Sequence, residues 1–270
     1  MIPIQYALRR RMMMAALGSG IDVASLSITY TGTHTDYGMV TMSDGARYRL
    51  LAFTSSGTLS MEQPVNCEVC VVGGGANGTK ASGGGGDGGA GAYLKNQSVS
   101  AYNGGSVVVG AGQGVSSIAD VSVNKVSGKN GGTGAGGQTA GTGDGISKYP
   151  FEDTGYSLWA GKPHCAGGGQ GVYEWYTGIH STLGYDGGNG GTNGGNGSIG
   201  YQGQVSSPSG GVGGSYGGGA GGAGKGGKAT YYGSGAGGGQ YYENNVGDLS
   251  LSNGGSGYQG IVYIRIPVIQ

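Results

Sequence analysis

Charge is scarce in this chain of 270 residues: 14 basic and 14 acidic side chains make up 10% of it and cancel. That balance excludes the basic surface a phosphate backbone requires, so nucleic acid is not an expected partner. Arg9, Arg10 and Arg11 form the one basic run and read as a solvated helix face. Proline is scarce too, with six residues against the ~15–20% that a collagen-like chain needs. Cysteine occurs three times, an odd number that suits folding in a reducing cytoplasm better than a disulfide framework. No apolar run approaches the ~20 residues that span a bilayer, so membrane insertion is not expected. The apolar stretch after Arg11 covers only residues 12–17, short of the ~7–15-residue core of a secretory leader, and no processing site follows. The expectation is that the protein leaves its cell by another route or never uses secretion. Leu, Ile, Val and Phe number 45, about 17% of the chain and below the ~20% at which a core becomes doubtful. Disorder usually couples such a deficit to high net charge, which is absent here.

What the chain has is glycine. Seventy residues are glycine, 64 of them between Gly73 and Gly260, and they fall into a three-residue phase. Gly188, Gly191, Gly194, Gly197, Gly200 and Gly203 hold it longest; Gly128/Gly131/Gly134/Gly137, Gly218/Gly221/Gly224/Gly227 and Gly254/Gly257/Gly260 repeat it. Three matches neither the period of an α-helix nor that of a strand, but it is the repeat of the left-handed polyproline II conformation. Such a helix makes no internal hydrogen bonds, and each ordered glycine carries a large entropic cost. A folded state must then recover that cost by backbone hydrogen bonding between neighbouring helices, with Cα–H···O contacts in support. Glycine-rich loops on a β-scaffold and plain disorder are the competing states.

The expected fold class is mainly β with little α: a β-sandwich-like base carrying an inserted bundle of polyglycine II helices. Residues 1–20 read as an N-terminal amphipathic helix and attachment segment, in which Met12, Met13 and Met14 offer a pliable apolar docking surface; a helix that covers its own domain is the competing reading. Residues 21–72 alternate as strands, with turns at Ser43-Asp44-Gly45 and Ser56-Gly57. Residues 73–260 form the glycine region, with strands at 91–95 and 106–109 and aromatic loops at about 146–186 and 230–246. The last segment, 261–270, is the most apolar piece; it is expected at the centre of the sheet that also takes residues 68–72, closing the base.

The order of these pieces is specific. Ala52-Phe53-Thr54-Ser55-Ser56-Gly57-Thr58-Leu59-Ser60, Cys67-Glu68-Val69-Cys70-Val71-Val72-Gly73-Gly74-Gly75, Val107-Val108-Val109-Gly110-Ala111-Gly112, and Gly254-Gly255-Ser256-Gly257 before Ile261-Val262-Tyr263-Ile264-Arg265 resemble the glycine-rich domain of bacteriophage tail and tail-fibre proteins. The likeness runs from Ala52 to Pro267. More loosely, the chain is similar to the receptor-binding adhesins at the tips of the long tail fibres of T-even-type phages. It departs from them in its β-segment at 23–72 and in its N-terminus, so their attachment mode does not carry over. The glycine-rich domain of the anaplastic-lymphoma-kinase group of receptors is a remoter likeness. The resemblance implies a virion protein made in the host cytoplasm, with a bacterial surface glycan or outer-surface protein as one partner and another tail or fibre protein, through the N-terminal region, as the other.

Motifs for chemistry are weak. Gly73-Gly74-Gly75-Ala76-Asn77-Gly78 fits the dinucleotide fingerprint and follows a strand, but Ser82-Gly83-Gly84-Gly85-Gly86 cannot open the helix the motif needs. Cys67, Cys70, His164 and Cys165 can be written as a zinc site; on a strand, however, positions three apart face opposite sides. Buried free thiols are the favoured reading, and a Cys70–Cys165 disulfide and a metal site remain as alternatives. His34, His164 and His180 are scattered, Glu152-Asp153 reads as loop surface, and neither a nucleophile elbow nor a paired-carboxylate site is present. No catalytic residue, metal or cofactor is expected.

The remaining signal is aromatic. Nineteen tyrosines face two phenylalanines, a preference for amphipathic rings of low conformational entropy that marks recognition loops. Tyr149, Phe151, Tyr156, Trp159, Tyr173, Trp175, Tyr176, His180 and Tyr185 are the expected receptor-binding residues; the competing role of such rings is to cap the glycine bundle. Tyr231/Tyr232 and Tyr241/Tyr242 offer a second cluster. The expected function is binding without chemistry, an adhesin for a bacterial surface. The alternatives are a purely structural virion or filament component and, more weakly, an ice-binding protein in which Thr and Asn line a flat helix array.

Overall fold

The computed structural model describes residues 21–80, 88–89, 91–123, 149–169, 171, 173–176, 182–185, 220, 226–243 and 249–268, with backbone alone for 173–176, 182–185, 243 and 250. The 1–20 segment with Met12, Met13 and Met14, the longest glycine run and His180 lie outside the described residues. The described chain is mainly β: twelve strands and one short 3-10 turn at Pro150–Glu152.

Eight strands form one antiparallel sheet. They are β1 (Ile28–Tyr30), β2 (His34–Thr41), β3 (Arg47–Phe53), β4 (Gly57–Val72), β5 (Leu94–Val108), β6 (Ser117–Ile118), β7 (Val121–Ser122) and β12 (Ile261–Pro267), in the order β2-β3-β12-β4-β5-β6-β7 with β1 on β4. The C-terminal strand sits between β3 and β4, Tyr263 opposite Ala52 and Cys70, Ile264 opposite Leu51 and Val69. This is the central place its apolar sequence predicted. Where they pair, at 50–53, 69–72 and 261–264, the three strands are continuously apolar because each buries both faces there. Leu51, Phe53, Val69, Val71, Val262 and Ile264 point into one cluster, and Leu50, Ala52, Cys70, Val72, Ile261 and Tyr263 into the other. Complete burial of each such aliphatic side chain stabilises by about 1.5–3 kcal/mol, so the few apolar residues are concentrated where both faces of one strand count.

Two sequence expectations shift. The strand pattern expected from residue 21 starts at Ile28, after a turn in which the Asp22 carboxylate accepts from the Ala24 amide at 3.0 Å. The pieces expected at 91–95 and 106–109 are the ends of one strand, β5, which crosses Gly104 and Gly105 at φ of 119° and 144°. Only glycine holds those angles without strain. A Cβ on Gly104 would also collide with the Leu59 carbonyl across the pairing.

A second sheet of four strands has the order β11 (Leu249–Leu251), β10 (Tyr241–Glu243), β8 (Tyr173–Tyr176) and β9 (Thr182–Tyr185), with β10 and β8 parallel.

The described glycine segments are extended without being strands, and their amides cross from chain to chain. In the stretch 235–239, Gly235 and Gly238 donate to Ala166 and Gly169, Ala236 and Gly239 to Ala76 and Thr79, and Gly237 to Gly227. Successive donors thus serve three different neighbours, and the first two are met again three residues later. The carbonyls repeat the pattern: Gly233 and Ala236 accept from Ala92 and Gly89, Ser234 and Gly237 from Tyr258 and Gly255. Glycine is required by proximity here. A Cβ on Gly78 would fall on the Gly237 carbonyl, and one on Gly168 on the Ala236 carbonyl. The fingerprint glycines Gly75 and Gly78 therefore lie against protein backbone, and the 73–80 segment itself is not helical.

Candidate functional site

The 149–162 loop is built around Asp153, a nearly buried carboxylate. Its oxygens accept from the Ser43 amide at 3.0 Å and hydroxyl, the Gly155 amide at 3.1 Å and the Tyr156 amide at 3.0 Å, which pins the loop to the β2–β3 turn. Hydrogen bonds to a charged acceptor contribute about 1.5–3 kcal/mol each. They offset the strain of Phe151 and Glu152, both non-glycine residues in the left-handed region at φ 56° and 59°. That conformation presents the Phe151 amide to Asn96 Oδ1 at 3.0 Å and its ring to the Arg265 guanidinium at 4.3 Å. Tyr48 covers the guanidinium at 4.5 Å, and Glu68 accepts from its Nε at 3.0 Å and from Nη2. A buried arginine between two rings and one carboxylate is fully answered, so it serves the core.

From this loop a path of ring contacts leads outward. Trp159 is fully buried; its indole N–H donates to the Asp153 carbonyl, and its ring meets Tyr156 at 4.8 Å and Tyr263 at 5.5 Å. Tyr263 Oη lies 3.0 Å from His164 Nε2. His164 in turn packs against Tyr231 at 4.9 Å and Tyr232 at 6.0 Å, and Tyr232 against Tyr258 at 5.6 Å. Such edge-on and offset pairs stabilise by ~0.5–1.5 kcal/mol beyond area burial. Burial pushes the His164 imidazole down to about 3 against a weaker opposing effect of the Lys162 backbone, so it is neutral at physiological pH. Burial drives the Tyr263 phenol well above its ordinary value. Enclosed in this way, the pair is a structural hinge pin between β12 and the glycine segments, with no face offered to a substrate.

The outer end of the path is a tyrosine surface. Tyr258 is 36% exposed, Tyr37 on β2 is 40% exposed, and Tyr156, Tyr231 and Tyr232 are half-buried. The Tyr37 phenol is within electrostatic range of Tyr156, Tyr232 and Tyr263 and makes them harder to ionise, an effect smaller than that of burial. Tyr156 and Tyr232 pack against the same apolar cluster and Tyr258 meets Tyr232, while β2 carries Tyr37 into their electrostatic neighbourhood.

Among the expected receptor-binding residues, Phe151 and Trp159 are corrected. Both are core side chains, 6% and 0% exposed, because the loop folds back onto the sheet and its largest apolar rings fill the space over Ala52, Cys70 and Tyr263. Tyr149 and Tyr156 lie at the loop margin, half-buried and packed against that core. Tyr173, Trp175 and Tyr176 are on β8 and Tyr185 on β9, with Tyr173 opposite Tyr185, and only their backbone is described. Of the second aromatic cluster, Tyr231 and Tyr232 do meet, at 5.3 Å, and Tyr241 and Tyr242 belong to β10. Tyr37, Tyr258 and Tyr263 escaped the sequence reading. Each is isolated in its own segment, and only the β3–β12–β4 pairing collects them.

The cysteines are free and buried, Cys67 in one apolar cluster and Cys70 and Cys165 in the other. Burial pushes the Cys67 thiol up to about 12 and Cys70 higher still, so both are protonated at neutral pH. Among the described residues no group of three or more His, Cys, Asp or Glu side chains is placed to hold a metal ion. No helix among them is long and apolar enough to cross a membrane. Comparison with protein-family models, with curated proteins and with solved structures found no match to this chain.

Proposed function

We propose that this chain is a non-enzymatic receptor-binding protein of a bacteriophage tail or tail fibre, an adhesin that holds an aromatic face toward a bacterial surface. The observation that carries the reading is the rotation of donors along 235–239 among three neighbours. A left-handed helix of three residues per turn aims successive amides about 120° apart, and a packed bundle of polyglycine II helices accounts for that rotation where strand pairing does not. The base reads as sandwich-like, since Leu51, Val69 and Ile264 are covered by Leu59, Val107, Ile118 and Val121 of the same sheet. A scaffold of this kind holds its shape through backbone bonds and leaves side chains at loops and margins free to vary, which suits host recognition. The N-terminal region docks onto another tail or fibre protein, and the virion is the protein's place of action.

Immunogold electron microscopy on the virion that carries this protein tests the reading. Label at a fibre tip, in few copies, is expected, together with blocked adsorption when the purified chain is added to host cells first. Regular label along a shaft, with adsorption unaffected, would favour a structural component and sink the adhesin.

A further inference from the structure

We infer that the face formed by Tyr37, Tyr156, Tyr232 and Tyr258 is a binding site for a neutral saccharide chain of the bacterial surface. This rests on the adhesin reading and adds to it a location and a ligand class. The four residues come from β2, the 149–162 loop, the turn at 231–233 and the glycine segment 252–260, and each leaves part of its ring open to solvent while the rest is backed by protein. The backing is firm. Tyr156 leans on Trp159 at 4.8 Å, a fully buried ring, and Tyr232 is held between His164 at 6.0 Å and Tyr258 at 5.6 Å. The Tyr232 carbonyl accepts from the Cys165 amide at 3.0 Å, and the Tyr258 amide donates to the Ser234 carbonyl at 3.0 Å, so two of the four backbones belong to the glycine lattice. Rings fixed before binding lose little entropy on contact.

The chemistry of the face selects the ligand. The four side chains offer phenols, which are hydrogen-bonding groups rather than fixed charges, and Asp153 of the same loop as Tyr156 is turned inward onto Ser43, Gly155 and Tyr156. A charged polymer would therefore find no counter-charge among these four side chains. A pyranose has an apolar C–H face and a rim of hydroxyls, and tyrosine offers the complement, a π face with a hydroxyl at its tip. Tyr232 and Tyr258 meet edge to face at 5.6 Å, so the pair presents rings in two orientations to a ligand.

Affinity electrophoresis of the full-length chain through gels containing a neutral glucan, a galactan or a mannan tests this. At least one polysaccharide is expected to retard the protein. The dissociation constant is expected to rise about tenfold or more for Tyr258→Ala and for Tyr37→Ala, whose exposed side chains can be removed without loss of fold, and to change little for Tyr258→Phe, which keeps the ring. Mobility unchanged in all three gels, or retardation that both alanine variants retain, overturns the inference. Binding to bacterial cells that is abolished by protease treatment of the cells and unaffected by Tyr258→Ala and Tyr37→Ala also overturns it, while leaving the adhesin reading intact. A chain that binds no cells at all fails the adhesin reading itself.

Discussion

His164 shows how one residue can mislead when read by type. Next to Cys165 and within reach of a C-x-x-C it suggests a metal site, yet the fold seals it between Tyr231, Tyr232 and Tyr263 as a neutral ring. Its protonation is linked to stability. The unfolded imidazole titrates near 6.5 and the folded one near about 3, so between those values the unfolded chain binds more protons. Stability is thus full above about 6.5 and is lost as pH falls toward 3. His164→Gln, which keeps a hydrogen-bonding group toward Tyr263, is expected to flatten this acid dependence; urea midpoints between pH 7.5 and 4 measure it, and an unchanged slope would refute the assignment. Phe151 and Trp159 mislead in the opposite sense. Large rings in a glycine-poor loop signal recognition only if the loop stands away from the sheet, and residue types do not encode that distance. The cysteine reading fared better because it rested on geometry: residues three apart on a strand face opposite sides, and Cys67 and Cys70 do.

Among the elements, β12 was the most legible, since a strand apolar at every position except Arg265 must bury both faces and therefore lies inside a sheet. The β5 strand was not, because Gly104 and Gly105 read as a break, whereas the pairing with Leu59 and Ser60 carries the chain through them. In the glycine segments, phase was legible and partners were not. A period of three says that neighbours are needed on several sides, but which segment neighbours which depends on strands far away in sequence. That packing has a sharp consequence. Gly78→Ala places a methyl group on the Gly237 carbonyl, and no flexible side chain is there to yield. A loss of about 2 kcal/mol or more is expected from such overpacking. Lys80→Ala, at an exposed position two residues on, should stay within ~0.5 kcal/mol. Chemical denaturation of the two variants makes the comparison; equal stability would contradict close backbone contact at Gly78.

At the scale of the whole molecule, the chain solves a shortage of apolar residues by dividing labour. Among the described residues a two-faced sheet concentrates nearly all the buried aliphatic side chains, and the glycine segments are stabilised by backbone hydrogen bonds, each worth a net ~0.5–1.5 kcal/mol but costly if left unmade. The aromatic residues join the two regions: Trp159 and Tyr263 belong to the sheet side, His164, Tyr231 and Tyr232 to the glycine side. The tyrosine face lies at this seam, supported from both directions. Its position was illegible in sequence, since it exists only once β2, β3 and β12 are aligned beside the segments 231–233 and 252–260.

Native-state hydrogen exchange on the backbone amides of Gly235, Ala236, Gly237, Gly238 and Gly239 tests the central claim directly. These five consecutive donors serve three different neighbours, so all five are expected to be protected, and to open together with the Val69 and Ile264 amides at the centre of the sheet. Free exchange at these glycines while the sheet amides stay protected would show a glycine region without a lattice, and would contradict the account.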